Sequence, residues 1–246
     1  MSATAQIIQP SFAAPRWTVT TPPMPFGAPT NPLAQLDQIA MAVTFTADAE
    51  IFDQDSLVRH CYQITSGCLR TVRLMEDGRR LIDRFLLPGD LLGFAAGTHH
   101  DVAAQSVTAS TLRRYPVQAV ATLAERDADF ARFLWQTATA ELRAAHDHGL
   151  LLGRKTATER VASFLKDMAA RIPLTNEFVP GQIALPMGRA DIADHLGLTV
   201  ETVSRTLTQL RCRSVITVLP GKIIVRNQVL LAGLAGEADV HPSARH

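Results

Sequence analysis

The stretch RADIADHLGLTVETVSRTLTQL, Arg189 to Leu210, decides the fold, because its apolar residues fit a helix, a tight turn and a second helix. Ile192, Ala193 and Leu196 fall on one inward side, Gly197 takes the turn, Leu198 plugs the junction, and Val203 and Leu207 face back to the core. The small Ala193 lets the second helix cross closely, and Gly197 supplies the backbone freedom that the turn requires. Val203 completes the internal contacts. Together these offsets predict a helix-turn-helix.

The outward face of the second helix is polar. Thr199 is placed to cap it, its hydroxyl accepting from the N–H of Thr202 or Val203 and leaving the helix dipole free to face a phosphate. Glu201, Thr202, Ser204, Arg205 and Thr208 are then polar and near the N-terminal half, where a recognition helix meets base edges in the major groove. Arginine can fork onto guanine and glutamate can accept from the cytosine amino group, each good pair discriminating by about 1–3 kcal/mol. The same Glu201 and Arg205, four apart, can also form an intrahelical ion pair worth about 0.3–0.5 kcal/mol. Arg189, Thr199, Thr202, Thr208 and Lys222 are expected against the DNA backbone, which positions a protein without specifying sequence. Beyond the helix, VITVLPGKIIVRN is a hairpin with Pro220 and Gly221 at its tip, the wing of a winged helix, which also brings Arg226 toward phosphates.

Working outward, KTATERVASFLKDMAARI is amphipathic, and a loop with Pro173, Pro180 and Gly181 and a short strand QIALP follow it. Upstream, Val117 to Ala124 reads as a short helix and Asp127 to Leu152 as a long one. Phe130, Leu134, Ala138, Leu142, Ala145 and Gly149 step along the long helix by three or four. Two readings are open: pairing of two chains along this seam as a homodimer, or packing on the strands. Ala145 and Gly149 allow close approach and favour the dimer. From Met41 to Tyr115 the period is two, with Gly67, Gly78, Gly89 and Gly93 where strands must turn. Six or more strands so spaced form a sandwich or barrel.

The expected fold is therefore α+β: an N-terminal antiparallel β-roll of jelly-roll type (32–125), a long dimerisation helix (126–153) and a C-terminal winged helix-turn-helix (154–236). An extended arm (1–31) precedes them and a tail (237–246) follows. Seven of the 14 prolines lie at or before Pro32, which disfavours helix and sheet in the arm. The chain of 246 residues has 47% hydrophobic and 19% charged residues, enough to bury cores without disulfides. The three cysteines, Cys61, Cys68 and Cys212, make no disulfide framework and fit a reducing compartment. No apolar run spans a bilayer and the N-terminus lacks a signal-peptide pattern, so a soluble, cytoplasmic protein without membrane contact is expected. The net charge of +1 argues against a polyanion partner until it is split. Residues 1–153 hold 12 basic and 15 acidic side chains, 154–226 hold 11 and 6, and 227–246 hold 1 and 2. The basic excess falls on the predicted reading segment.

This order of parts resembles the Crp/Fnr family of bacterial transcription regulators over about residues 33–235. The motifs FLLPGDLLGF (Phe85 to Phe94), LLGRKTATERVASFL and LPMGRADIADHLGLTVETVSRTL (Leu185 to Leu207) carry the likeness, and the last two look most like the FixK branch, which acts in low-oxygen gene control. The family pattern E-x-x-S-R is matched by Glu201, Ser204 and Arg205. Val200 stands where cAMP-responsive members have arginine, which implies a TTGAT-N4-ATCAA palindrome. Ser204 would then contact a thymine, and Arg205 and Glu201 the G·C pair. The resemblance further implies an activator that recruits RNA polymerase. Residues 1–60 contain no cysteine and Arg113 stands at the roll cysteine's place, so no iron–sulfur cluster is expected. The glycine-glutamate and arginine-serine pairs that cradle cAMP are also missing, and no cofactor is predicted.

Cys212 lies between Arg211 and Arg213 at the end of the second helix, where flanking cations raise thiol reactivity while a helix C-terminus opposes it. It is a candidate redox thiol or a passive cysteine. Cys61 and Cys68 fit buried, inert thiols, and Ser214 stands where relatives end the helix with glycine. A ligand-gated regulator is the alternative, its roll binding a small molecule or haem with Arg70, Arg73, Arg84 and Gln105 as candidate interior groups. A cupin-like metalloenzyme using His60, His99 and His100 is a distant rival, because adjacent strand residues point to opposite faces. His146 and His148, two apart on a helix, share no face for a metal.

Overall fold

The computed structural model describes residues 32–94, 97–171 and 181–236. The proline-rich arm, Pro173, Pro180 and the tail lie outside the described residues.

Period-two patterning yields eight short strands: β1 (Met41–Phe45), β2 (Glu50–Phe52), β3 (His60–Ser66), β4 (Leu69–Leu74), β5 (Arg80–Leu86), β6 (Leu91–Leu92), β7 (Ala103–Ser106) and β8 (Ser110–Pro116). They form two four-stranded sheets, ordered β1-β8-β3-β6 and β2-β7-β4-β5, antiparallel throughout. Between them Tyr62, Ile64, Leu69, Leu86, Leu92, Ala104 and Leu112 make the roll's own core. Gly67 has φ +90°, and a Cβ there would meet the Ala109 carbonyl oxygen at 2.7 Å, so this corner admits only glycine.

Two helices follow: α1 (Val117–Arg126) and α2 (Ala128–Arg154). Asp127 caps α2, its carboxylate accepting from the N–H groups of Asp129 and Phe130 at 2.9 Å each. Then come α3 (Ala157–Arg171), β9 (Gln182–Ala184), α4 (Arg189–Leu196), α5 (Val200–Cys212), β10 (Ile216–Leu219), β11 (Lys222–Val225) and α6 (Gln228–Leu234). Helix α3 opens with a capping box, in which Thr156 N–H donates to Glu159 Oε2 at 2.7 Å and Glu159 N–H donates to Thr156 Oγ1 at 3.4 Å. The wing is a three-stranded sheet ordered β10-β11-β9, and Gly221 at its tip has φ +67°.

One apolar core runs from the roll into the C-terminal helices. Cys68, Val72, Ile82 and Phe85 join Val161, Phe164, Leu165, Met168, Ile192, Leu196 and Val203 in a continuous buried cluster. His195 of α4 packs against it. Its Nδ1–H donates to the Ile82 carbonyl at 3.0 Å, its ring stacks on His148 of α2 at 4.4 Å, and Phe85 and Phe164 approach edge-on. Burial and the neighbouring His148 push His195 down to about 4 from 6.5, against a weaker pull upward from the Ile82 carbonyl and Asp83. Arg171 adds to the downward push, and burial lowers His148 too.

A pH dependence follows. The folded chain keeps His195 neutral where the unfolded chain protonates it, so its contribution is intact above about pH 6.5 and is lost as pH falls toward 4. The ceiling is about 3 kcal/mol. His195→Gln is expected to lower the slope of Tm against pH in that window and to leave His148's share. Thermal denaturation at constant ionic strength checks this; a slope equal to that of the unmodified chain would contradict it.

Candidate nucleic-acid interface

Helices α4 and α5 pack as their spacing predicts. Ile192, Ala193, Leu196, Val203 and Leu207 are buried, and Leu198 is half-buried against them. Gly197 closes α4 in the left-handed conformation, φ 59° and ψ 43°. Thr199 caps α5, its Oγ1 accepting from Thr202 N–H at 3.2 Å.

With that face buried, the opposite face of α5 is open. Val200, Glu201, Arg205 and Thr208 are exposed, and Thr202 and Ser204 are half-exposed. Glu201's carboxyl is held below the usual range by its own backbone N–H, the Thr199 hydroxyl and the charge of Arg205. Ser204 does not stand alone, because Arg189 of α4 donates to its Oγ at 3.0 Å. A residue expected on the backbone is thereby joined to one expected on a base. Thr208 donates to the Ser204 carbonyl at 2.9 Å, on the wing Arg226 donates to Thr217 Oγ1 at 3.0 Å, and Lys222 is half-buried near the wing's tip.

Arg160 is a positioning residue that sequence reading missed. From α3 it donates to the Leu152 carbonyl at 2.7 Å, Lys155 at 2.9 Å and Leu196 at 2.9 Å. The end of α2 and the α4–α5 turn are thus tied through one guanidinium. The only hint was a basic residue on the polar side of an amphipathic helix.

Along α2 the structure divides the seam. Phe130 and Leu134, placed on it by spacing, pack within the chain instead: Phe130 is buried with Leu33, Leu36, Tyr115 and Val120, and Leu134 lies against that cluster. The short helix α1 and the 3-10 turn Ala34–Leu36 supply the partner that periodicity could not name. Leu142, Ala145 and Gly149 stay exposed and Ala138 half-exposed, and Trp135, missed in the sequence, is 75% exposed on the same side, seven residues before Leu142.

The roll's polar residues, which strand alternation could send to the interior or to solvent, divide between the two. Arg70 is buried and donates to Asp191, Asp48 and Gln105, while Arg84 donates to Glu141 of α2 at 2.8 Å; Arg73 is exposed. Arg113 pairs with Asp37 at 2.8 Å. His100 is buried and stacks on Phe52 at 3.6 Å, and among the described residues no group of three or more His, Cys, Asp and Glu is placed to hold a metal. Cys61 and Cys68 are buried with thiols pushed up to about 12 by that burial, as inert cysteines would be. Cys212 is exposed at the end of α5, and Ser214 beyond it takes φ 56°, the conformation glycine would adopt without strain.

A strand-built roll, a long connecting helix and a winged helix-turn-helix with an open polar face define a DNA-binding transcription regulator. The profile of the Crp-like helix-turn-helix domain matches residues 159–234, and that of the cyclic nucleotide-binding domain matches residues 42–127. The chain belongs to the Crp/Fnr family, on its FixK-like side. It is 40% identical over 206 residues to the nitrogen fixation regulation protein FixK of Azorhizobium caulinodans, covering 83% of each chain. The fumarate nitrate reduction regulatory protein of Klebsiella oxytoca is 33% identical over 218 residues, with 87% of each chain covered. The solved structure of FixK2 from Bradyrhizobium japonicum superposes with a TM-score of 0.76 at 41% identity, over 81% of this chain and 99% of that one. Among the described residues no helix is long and apolar enough to cross a membrane.

Proposed function

We propose that the chain is a homodimeric activator of low-oxygen or nitrogen-related genes that reads a TTGAT-N4-ATCAA palindrome and recruits RNA polymerase. The observation that carries this is the open N-terminal half of α5, where Glu201, Ser204 and Arg205 stand on a helix whose other side is buried. Arg205 and Glu201 read the G·C pair, Ser204 reads a thymine, Val200 adds apolar contact, and Thr199, Thr202, Arg189, Thr208 and Lys222 set the helix against phosphates. Two copies of α5 enter major grooves about 34–36 Å apart.

Neither cAMP nor an iron–sulfur cluster takes part in this reading. The roll arginines Arg70 and Arg84 are occupied by carboxylates of other elements, and Arg113, at the expected cluster-cysteine position, is paired with Asp37. These residues fit neither a cyclic phosphate nor a metal cluster.

The test is a gel-shift titration of the untreated chain on that duplex, with a scrambled duplex and a peroxide-treated sample in parallel. Binding no tighter than to the scramble sinks the sequence-reading role. Oxidation of Cys212 adds bulk and negative charge near DNA phosphates and is expected to weaken binding, whereas Cys212→Ser keeps it; equal loss in both would reject this thiol as the switch.

The exposed strip of Trp135, Ala138, Leu142, Ala145 and Gly149 serves as the pairing seam. Burying one leucine is worth about 1.5–3 kcal/mol, so Leu142→Asp is expected to raise the dimer dissociation constant at least about tenfold. Sedimentation equilibrium checks it. An unchanged dimer would move the interface off α2.

A further inference from the structure

Buried charge in this molecule is concentrated where β4 and β5 meet α4, away from the open face of α5. The Asp191 carboxylate receives Arg70 Nη1 at 3.2 and 3.1 Å and Arg80 Nη2 at 2.8 Å. Arg80 Nε also donates to Asp194 at 2.6 Å. Arg70 continues to Asp48 at 3.0 Å and to Gln105 at 3.1 Å. Asp191 and Arg70 are 7% and 9% exposed, so this is an interior network and not a surface pair. One residue beyond Asp194, His195 reaches the Ile82 carbonyl and His148. Three of the eight residues of α4 therefore end on the roll or on α2.

Stability alone is a poor reason for such a network. Desolvating a carboxylate and two guanidiniums offsets much of their attraction, and apolar residues of the same volume would hold the surfaces together as well. What directional, charge-assisted contacts from two arginines to two carboxylates add is a single relative orientation. Helix α4 is the element on which α5 is mounted, and Arg189 links the two directly through Ser204. In this orientation Glu201, Arg205 and Thr208 remain exposed.

We propose that Arg70 and Arg80 of the roll, closing on Asp191 and Asp194 of α4, form an orienting clasp that holds α5 in its DNA-reading position. The reading angle is then set by charges built into the chain, in the part of the roll where the sequence left room for a ligand. This rests on α5 reading DNA.

The test uses the full chain. Arg80→Ala and Asp191→Asn are compared with the unmodified protein and with Arg80→Lys, which keeps the charge between Asp191 and Asp194. Hydrogen exchange across α4 and β5 is measured without DNA, and affinity for the palindromic duplex is measured by fluorescence anisotropy. Arg80 is partly exposed, so its alanine variant should fold, and a thermal melt of each variant verifies that. Arg80→Ala and Asp191→Asn are expected to exchange faster at α4 and to bind about tenfold more weakly or worse, with Arg80→Lys losing less than Arg80→Ala. Tighter binding by the single variants would make the contact inhibitory and overturn the proposal. Faster exchange with unchanged affinity, or unchanged exchange, would overturn it as well. If the unmodified chain binds no duplex, the DNA-reading role itself has failed, and the orienting role falls with it while the exchange data still report the contact.

Discussion

Arg205→Ala is expected to weaken binding to the palindrome by about 1–3 kcal/mol per half-site, the worth of one bidentate contact to guanine. With two half-sites the ceiling is roughly twice that, and separated positions add. Arg205 is exposed and its loss opens no cavity, so the fold should change by no more than about 0.5 kcal/mol. The diagnostic result concerns specificity. The unmodified chain should lose affinity when G·C is replaced by A·T in each half-site, whereas the variant should bind both duplexes alike. Lys222→Ala should weaken binding to all sequences and make the salt dependence shallower by about one per half-site, because a phosphate contact positions without specifying. Anisotropy titrations on both duplexes at several salt concentrations separate the two. An Arg205→Ala variant that still discriminates the G·C pair would move base reading to another residue.

The helix-turn-helix was legible because all its determinants are local. Ala193, Gly197 and Val203 lie within eleven residues, and the turn they need is written in the same few positions. The wing was legible for the same reason, as Pro220 and Gly221 mark its tip. What the apolar stripe on α2 packs against was not legible. Periodicity shows that Phe130 and Leu134 share a face, but it cannot say whether that face meets a second chain or Leu33, Tyr115 and Val120 of its own. The roll arginines were the least legible. Arg70 and Asp191 stand 121 residues apart, and nothing near either residue announces the other. Strand alternation placed Arg70 on a face, and the fold put α4 there. Arg160 escaped for a similar reason, since its acceptors are backbone carbonyls, which leave no trace in residue types.

Phe85→Ala is expected to be the most damaging single truncation for the coupling between roll and reader. Phe85, next to last in β5, has 2% of its surface exposed and lies edge-on to Phe164 of α3 at 6.0 Å and to His195 of α4 at 5.3 Å. Its ring is therefore shared by three elements. Removing a buried phenylalanine costs about 3–5 kcal/mol, because the transfer free energy is lost and the cavity collapses only in part. At about 2–4 °C per kcal/mol for a chain of this size, Tm should fall by roughly 6–20 °C. Leu69→Ala, within the roll's separate core, costs about 2–5 kcal/mol and serves as the contrast. Leu69 lies inside one part, so its loss should lower the roll's melting without parting roll from reader. Loss of Phe85 removes a main apolar contact across the junction and leaves the Arg70, Arg80, Asp191 and Asp194 network to hold α4. The calorimetric transition should then broaden or split, and raising the salt concentration should widen the split by screening the partly exposed Arg80 and Asp194. A single sharp transition in Phe85→Ala at both salt concentrations would show that the shared core is not what makes roll and reader melt together.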